Sequence, residues 1–466
     1  MTNSPGKFEQ NSIIRHAHFI GVCGAGMKPI AHALLSQGVR VSGSDLDLDK
    51  GADLLAAGAK LYRGHASDNL QNPDVVVYST AISDDNPEIA RARAEGIPIV
   101  HRSEMLGWFL AKKESVLIAG THGKTTTTTL VSLLLERAGM DPWSFVGGHV
   151  REFNGNLRVG GSGLAVAEAD ESDGSFLNLP RNHAIITNIE AEHLNYWGDE
   201  RRMFQGFAEF AHGIPKSGNL VVCIDDPGVR RFLSMIDRHV TTYSTQDDTA
   251  EFTAHGIKLT GTGSSFDLLR RGKNLGRASI GVPGLQNVAN ALAAFAMADQ
   301  LGADISTLLP ALAEFRGVDR RFTKTQSEDG YLVIDDYAHH PTEITATVAA
   351  ARMLATERDG RLVAVFQPHR YSRTQSFFAD FGGSFHQVDH LILTEVYASG
   401  EPALEGISGS SLQRQISSEI AAPVEFIADF PAIKKRVQNV IKDNDIVLLL
   451  GAGSVTKLAN LLICSC

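Results

Sequence analysis

Residues Gly120, Thr121, His122, Gly123, Lys124, Thr125 and Thr126 spell a glycine turn that ends in Gly-Lys-Thr, fed by the apolar run at 116–119. Exposed backbone amides in such a turn, and the positive end of the helix that follows it, suit a polyphosphate. Lys124 is the residue type that holds outer phosphates, and Thr125 can offer a hydroxyl to Mg²⁺. The spacing departs from the usual eight-residue loop, because Ile118 stands six positions before Lys124 and the first glycine is Gly120. The stretch therefore points to nucleotide binding without naming a reaction.

Other runs also deliver polar groups at the ends of apolar segments. LAVAEADESDGSFL carries Glu168, Asp170, Glu171 and Asp173, and a hard cation beside a phosphate loop needs such oxygen ligands. HAIITNIEAEH carries Glu190, Glu192 and His193, with His193 either a metal or phosphate contact or a satisfied structural group. Near the C-terminus, YLVIDDYAHHPTEI, RLVAVFQPHRYSRT, LILTEVYASGE and DIVLLLGAGSV are four strands, the first two opening onto Asp336, Tyr337, His339, His369, Arg370 and Arg373. Polar residues gathered at strand ends read as an active-site rim rather than surface ion pairs. Near the N-terminus, Gly21-x-x-Gly24-x-Gly26 with Asp45 imitates a dinucleotide fingerprint, with Pro29 where a close-packing glycine would stand. Gly24, Gly26, Asp45, His65, Ser79 and Arg102 all fall near strand ends and together suggest a site for a phosphorylated or nucleotide-bearing molecule.

The elements that must position these groups alternate strand and helix, which means α/β architecture with parallel sheets and ligand sites at strand C-termini. The 466 residues allow roughly three domains. Charged or turn-rich stretches place the boundaries after Lys112 and Phe322. That gives a Rossmann-like domain over 1–112, a P-loop ATPase-like mixed sheet over 113–322 and a second Rossmann-like domain over 323–466. Short alternating pieces from about 239 to 280 predict antiparallel hairpins at the edge of the central sheet. Asn287 and Asn290 start the helix after them, as caps or as amide partners of a base.

A hydrophobic share of 43% and a charged share of 21% are those of a soluble chain, and a net charge of −10 argues against a broad grip on nucleic acid or anionic lipid. No apolar run reaches the length of a membrane span. Cys23, Cys223, Cys464 and Cys466 read as free thiols in a reducing cytoplasm. The first twelve residues are polar and expected to fray. One phosphate loop, acidic metal candidates in the same domain, a nucleotide-like site before it and an Arg/His rim after it form a layout for joining two molecules. Transfer of the γ-phosphoryl group to a carboxylate would create an acyl phosphate that an amine attacks.

GVCGAGM, GTHGKTTT, EADESDGSFL, TNIEAEH, DRRF, DDYAHHPTEI, FQPHRYSRT and GAGS, in order from Gly21 to Ser454, resemble the Mur ligases. The resemblance implies ATP and Mg²⁺ as cofactors, and L-alanine joined to UDP-N-acetylmuramate as the reaction. By it, Lys124 and Thr125 match the phosphate-loop lysine and the Mg²⁺ hydroxyl, and Glu168 and His193 the two metal positions. Gly120 through Thr126, Asn287, Asn290, Arg321 and Asp336 lie with ATP. Gly24, Gly26, Asp45 and His65 face the UDP part, and Tyr337, His339, Arg370 and Arg373 the amino acid and acyl phosphate. Lys124, His193, His339, Arg370 and Arg373 form the catalytic set. A monomer or weak homo-oligomer, with no nucleic acid and no membrane, is the expected assembly.

Two positions depart from the family pattern: Glu192 replaces an aspartate before His193, and Gln286 replaces a histidine before Asn287. The nearest rival function is a sister ligase that adds a recycled tripeptide to the same sugar acid. An NAD-dependent oxidoreductase would rest on the first glycine turn alone and leave the Lys124 loop unexplained. A non-enzymatic nucleotide switch would bind ATP without consuming it stoichiometrically.

Overall fold

The computed structural model describes residues 13–463; the N-terminal stretch expected to fray, together with Cys464 and Cys466, lies outside the described residues. The chain forms two compact units. Among the described residues, the first runs to Thr253 and takes in Leu269–Leu275 and Asn290–Ala311, and the second takes in Ala254–Leu268, Gly276–Ala289 and the chain from Leu312 onward. Among the described residues no helix is long and apolar enough to cross a membrane.

The first unit opens with five parallel strands: β1 (His16–Ile20), β2 (Arg40–Asp45), β3 (Lys60–Arg63), β4 (Val75–Tyr78) and β5 (Ile99–His101). Their order is β3-β2-β1-β4-β5, so the chain reverses direction at β1 and leaves a crevice where ligands of such sheets bind. The Asn86 side chain caps the helix Pro87–Glu95 and Gly96 closes it in the left-handed conformation, a start and stop written in the residue types.

The helix Arg102–Leu110 ends four residues before β6 (Glu114–Ala119), and Lys113 Nζ is fastened to Ser162 O at 2.9 Å. Phe109 of that helix packs on Trp143 and Phe145, with ring centroids 4.8 and 5.1 Å apart. The N-terminal sheet and the next one therefore share one continuous apolar cluster. The central sheet adds β7 (Trp143–Val150), β8 (Gly155–Arg158), β9 (Leu164–Glu168), β10 (His183–Ile186), β11 (Leu220–Cys223) and β12 (Thr241–Ser244). In order β12-β11-β10-β6-β9-β7-β8, only the β7–β8 pair is antiparallel. The phosphate-loop strand β6 is thus central and fully buried on both faces along 115–119, which its unbroken apolar run reflects. β13 (Phe252–Thr260), β14 (Gly263–Arg270) and β15 (Lys273–Ile280), joined by two-residue turns, extend the sheet. These are the hairpins expected at its edge, and the division between units falls inside them.

The second unit carries β16 (Thr323–Gln326), β17 (Leu332–Asp336), β18 (Leu362–Phe366), β19 (His390–Leu393), β20 (Val424–Phe426) and β21 (Ile446–Leu450) in order β16-β17-β21-β18-β19-β20. All but β16 run parallel. Ile446, Leu448 and Leu450 belong to one apolar cluster and Val447 and Leu449 to another. Alternate residues of β21 thus fill the layers on opposite faces.

Candidate active site

In the first unit, Gly120 leaves β6 with φ of 124°, and a Cβ there would lie 2.2 Å from Thr187 Oγ1 and 2.9 Å from Asn188 O. Only glycine fits so close an approach in that conformation. Asn188, just past β10, grips His122 at both ends: His122 N donates to Asn188 Oδ1 at 2.7 Å and Asn188 Nδ2 donates to His122 O at 3.0 Å. Thr187 Oγ1 donates to the same carbonyl at 2.6 Å. Gly123, also left-handed, caps the helix Lys124–Arg137, and a Cβ on it would meet Asn290 Oδ1 at 2.8 Å. Thr127 Oγ1 donates to that Oδ1 at 3.1 Å, so Asn290 sits against the loop. Asn287 Nδ2 donates to Pro283 O at 2.7 Å at its own helix start.

Lys124 Nζ donates to Gly120 O at 2.6 Å, to Thr121 O at 3.2 Å and to both Glu171 oxygens at 2.9 and 2.8 Å. Burial opposes the lysine charge, but Glu171 and Asp170 outweigh it and the pKa is raised. Glu171, nearly inaccessible, is pushed by burial to about 7 despite the lysine, with the nearby Asp170 adding to the rise. Asp170 itself is held at about 2, because Lys124 and Arg102 overcome its burial. With Glu168, whose charge also acts on Lys124, three carboxylates stand here against Lys124 and Arg102, and a donor set of oxygens suits a divalent ion. Glu168, at the end of β9, accepts from Gly147 N at 2.6 Å. His193, in the left-handed conformation at φ 57°, places Nε2 3.9 Å from Glu171 and 3.6 Å from Glu192. The Thr125 hydroxyl makes no hydrogen bond within the described residues, and Thr126 is buried at the helix start.

The N-terminal glycine turn lies in the same unit. Asp45 there accepts from Cys23 N at 2.9 Å and Asp47 N at 3.0 Å, so its carboxylate fastens the turn. A Cβ on Gly26 would come within 3.3 Å of the Arg102 guanidinium, and Arg102 Nη2 donates to Asp170 Oδ2 at 2.9 Å. Arg102 thus links the first glycine turn to the acidic strand end beside the phosphate loop. Gly24 makes the adjoining turn, its N donating to Gly21 O. Ser79 follows β4 and His65 follows β3, with His65 Nδ1 2.8 Å from Ser44 Oγ.

In the second unit the rim is a string of rings. Tyr337 and His339 centroids lie 5.5 Å apart, His339 and His369 5.7 Å, and His369 stacks on Tyr397 at 5.6 Å. Arg320 and Arg321 lie 4.8 and 5.0 Å from the Tyr337 ring centroid. Arg373 Nη1 lies 3.2 Å from His369 Nδ1; since a guanidinium only donates, that nitrogen accepts. Burial, then His339, Arg373 and Arg370, drive His369 down to about 3. Arg370 holds φ of 66° as it caps the helix Tyr371–Ser376. Asp336 accepts from Phe322 N at 2.7 Å and Ala338 N at 2.8 Å, and burial raises it to about 6 against the pull of Arg321.

Sequence reasoning did not single out the Thr187–Asn188 grip, Arg320 or Tyr397, and it left Glu171 undistinguished within its acidic cluster. Asn188 stands two residues before Glu190 in TNIEAEH, and that proximity was the available signal.

Three models of the Mur ligase family match consecutive stretches: the family's catalytic domain over residues 16–114, its middle domain over 118–298 and its glutamate ligase domain over 320–453. A protein named UDP-N-acetylmuramate–L-alanine ligase from Sorangium cellulosum is 43% identical over 443 residues, 95% of this chain and 94% of its own. One of the same name from Burkholderia multivorans is 44% identical over 450 residues, 95% and 96% of the two chains. Among solved structures, the UDP-N-acetylmuramate-alanine ligase of Thermotoga maritima aligns with a TM-score of 0.81 at 30% identity, covering 97% of this chain and 98% of its own.

Proposed function

The chain belongs to the Mur ligase family, and from that premise we propose that it joins L-alanine to the carboxylate of UDP-N-acetylmuramate, releasing ADP and phosphate, in peptidoglycan precursor synthesis. The observation that carries the reading is likeness along nearly the whole chain to proteins named for that reaction. Residues 1–112 would bind the UDP-sugar, 113–322 ATP and 323–466 the amino acid, a division supported by the three matched stretches. A reaction that consumes ATP and a UDP-linked sugar would be carried out in the cytoplasm, and the chain would work as a monomer or weak homo-oligomer.

Lys124, kept protonated by its carboxylate neighbours, would take the γ-phosphate charge as it moves to the sugar carboxylate. Gly120 to Thr126 would supply amides around the phosphates, with Asn290 seated on the loop, and the family resemblance would assign Asn287, Arg321 and Asp336 to ATP as well. Thr125, Glu168 and His193 would hold Mg²⁺, which supplies charge neutralisation on the phosphates when bound. The free Thr125 hydroxyl and the excess of carboxylates support that set. Gly24, Gly26, Asp45 and His65 would face the UDP part. Tyr337, His339, Arg370 and Arg373 would orient the amine and stabilise the acyl phosphate, Arg373 being aimed by the neutral His369. This is catalysis by positioning and electrostatics.

A coupled ADP assay tests it. Release of ADP should require both UDP-N-acetylmuramate and L-alanine. Full-rate ATP turnover without the sugar acid would overturn the joining reaction, and faster turnover with the tripeptide than with L-alanine would move the chain to the sister activity.

A further inference from the structure

The N-terminal sheet buries a row of polar side chains used by neither the phosphate loop nor the ring string. β1 and β2 lie in parallel register with His16 opposite Arg40, His18 opposite Ser42 and Ile20 opposite Ser44, so alternate residues of both strands share one face. Arg40 Nη2 lies 3.0 Å from His16 Nδ1, and His16 Nε2 and His18 Nδ1 each lie 2.8 Å from Ser42 Oγ. His18 Nε2 faces Glu88 Oε2 at 3.6 Å. Ser44 Oγ donates to the same carboxylate oxygen at 2.6 Å, and His65 Nδ1 lies 2.8 Å from Ser44 Oγ. His18, Ser44 and Glu88 are wholly inaccessible to solvent.

With neutral imidazoles, hydrogen-bond chemistry fixes the direction of every link. Arg40 can only donate, so His16 Nδ1 accepts and its Nε2–H is given to Ser42. The Glu88 carboxylate facing His18 Nε2 favours the ring hydrogen on that nitrogen, so His18 Nδ1 accepts the hydrogen of Ser42. From the other end, Glu88 accepts the Ser44 hydrogen, so Ser44 must accept from His65 Nδ1–H. Glu88 is ionised: burial works against its charge, but the His18 ring facing it and the bonds from Ser44 and Asn69 hold its pKa below the ordinary value. Asn69 Nδ2 at 2.6 Å and Ala66 N at 3.3 Å satisfy the second oxygen. His65 Nε2 has no partner among the described residues and keeps a lone pair beside the loop after β3.

We propose that Glu88 is a positioning residue that, through Ser44, fixes His65 in the Nδ1–H tautomer, so that Nε2 accepts a hydrogen bond from the UDP part of the substrate. The donor is the imide N–H of the base or the ribose 2′-hydroxyl. The inference rests on His65 being a UDP contact.

Glu88→Gln is the discriminating change, because a glutamine cannot accept at both ends. Ala66 N cannot reverse, Asn69 Nδ2 is also tied to Gly64 O, and His18 Nδ1 is held by Ser42. The Ser44 hydroxyl is the link that can turn round, and it would then donate to His65 Nδ1 and move the ring proton to Nε2. ¹⁵N NMR of the full chain should show protonated Nδ1 on His65 in the parent and protonated Nε2 in the variant. UDP, N3-methyl-UDP and 2′-deoxy-UDP are then titrated into both proteins. The parent should lose about three- to tenfold in affinity for the analogue that lacks the donor, identifying it, and the variant should lose that discrimination. KM for the sugar substrate should rise by a similar factor with kcat and the KM for ATP unchanged. A parent His65 protonated at Nε2 overturns the proposal even if the variant does not fold. An unmoved tautomer in a folded variant does so as well. Equal binding of all three nucleotides by the parent removes the ligand contact, and no UDP binding at all removes the reading of the site beneath it.

Discussion

Lys124 Nζ sits 2.8 Å from a Glu171 carboxylate that is almost wholly buried, so the loop's cation is already aimed and charged by its own chain. Replacing the lysine with methionine keeps the stem and removes the charge. Lys124→Met should lower kcat by about 10²- to 10³-fold, the usual cost of losing one preorganised charge-stabilising group. ADP release under saturating substrates measures it, and near-normal turnover would refute the role.

The close approach at Gly120 makes a second prediction. A Cβ there meets Thr187 Oγ1 at 2.2 Å, whereas one on Gly155 meets nothing within 4 Å. Gly120→Ala should destabilise the fold by about 1–3 kcal/mol, and Gly155→Ala by no more than about 0.5 kcal/mol. Urea unfolding of the pair checks the difference; equal midpoints would contradict it.

Arg370 is a non-glycine residue at φ 66°, a strain of order 1–3 kcal/mol that a glycine would relieve. Arg370→Gly should therefore leave thermal stability unchanged or raised while ligase activity falls by at least about tenfold. A loss of stability that parallels the loss of activity would count against this account.

His369 makes the second unit sensitive to acid. Its folded pKa of about 3 lies below the ordinary 6.5, so between those values the unfolded chain binds more protons and stability falls as pH drops from 6.5 toward 3. Asp336, raised to about 6, works in the opposite sense between 3.8 and 6, but it is present in parent and variant alike. His369→Asn should remove on the order of 2 kcal/mol of the acid sensitivity between pH 7.5 and 4.5. Urea titrations at the two pH values read it, and identical pH slopes would dismiss the buried neutral ring as the cause.

Where residue types dictate local geometry, the fold could be read from the chain alone. Asn86, Pro87 and Gly96 bracket a helix, Gly123 and Lys124 open another, and the apolar runs of β6, β17, β18 and β21 are strands buried on both faces. The pair β7 and β8 gave no such signal, because glycines interrupt β7 and its register with β8 shifts between Phe145 and Val150. Lys124 and Thr125 stood out by spacing. The partners that shape their surroundings did not, since Thr187, Asn188 and Glu171 lie 47 to 66 residues away and meet the loop only once the sheet has formed. The buried row behind His65 was hidden for a related reason: histidine, serine and arginine on alternate positions read as an exposed strand face until Glu88 arrives from a helix to cover it.

The Asn188 grip on both backbone groups of His122, with Thr187 beneath, is made entirely within the chain. The phosphate loop therefore holds its curvature by its own side chains, and a nucleotide has no ordering entropy to supply when it docks. The His122 amide should exchange its hydrogen slowly whether or not nucleotide is supplied, and the loop should begin every turnover from the same shape.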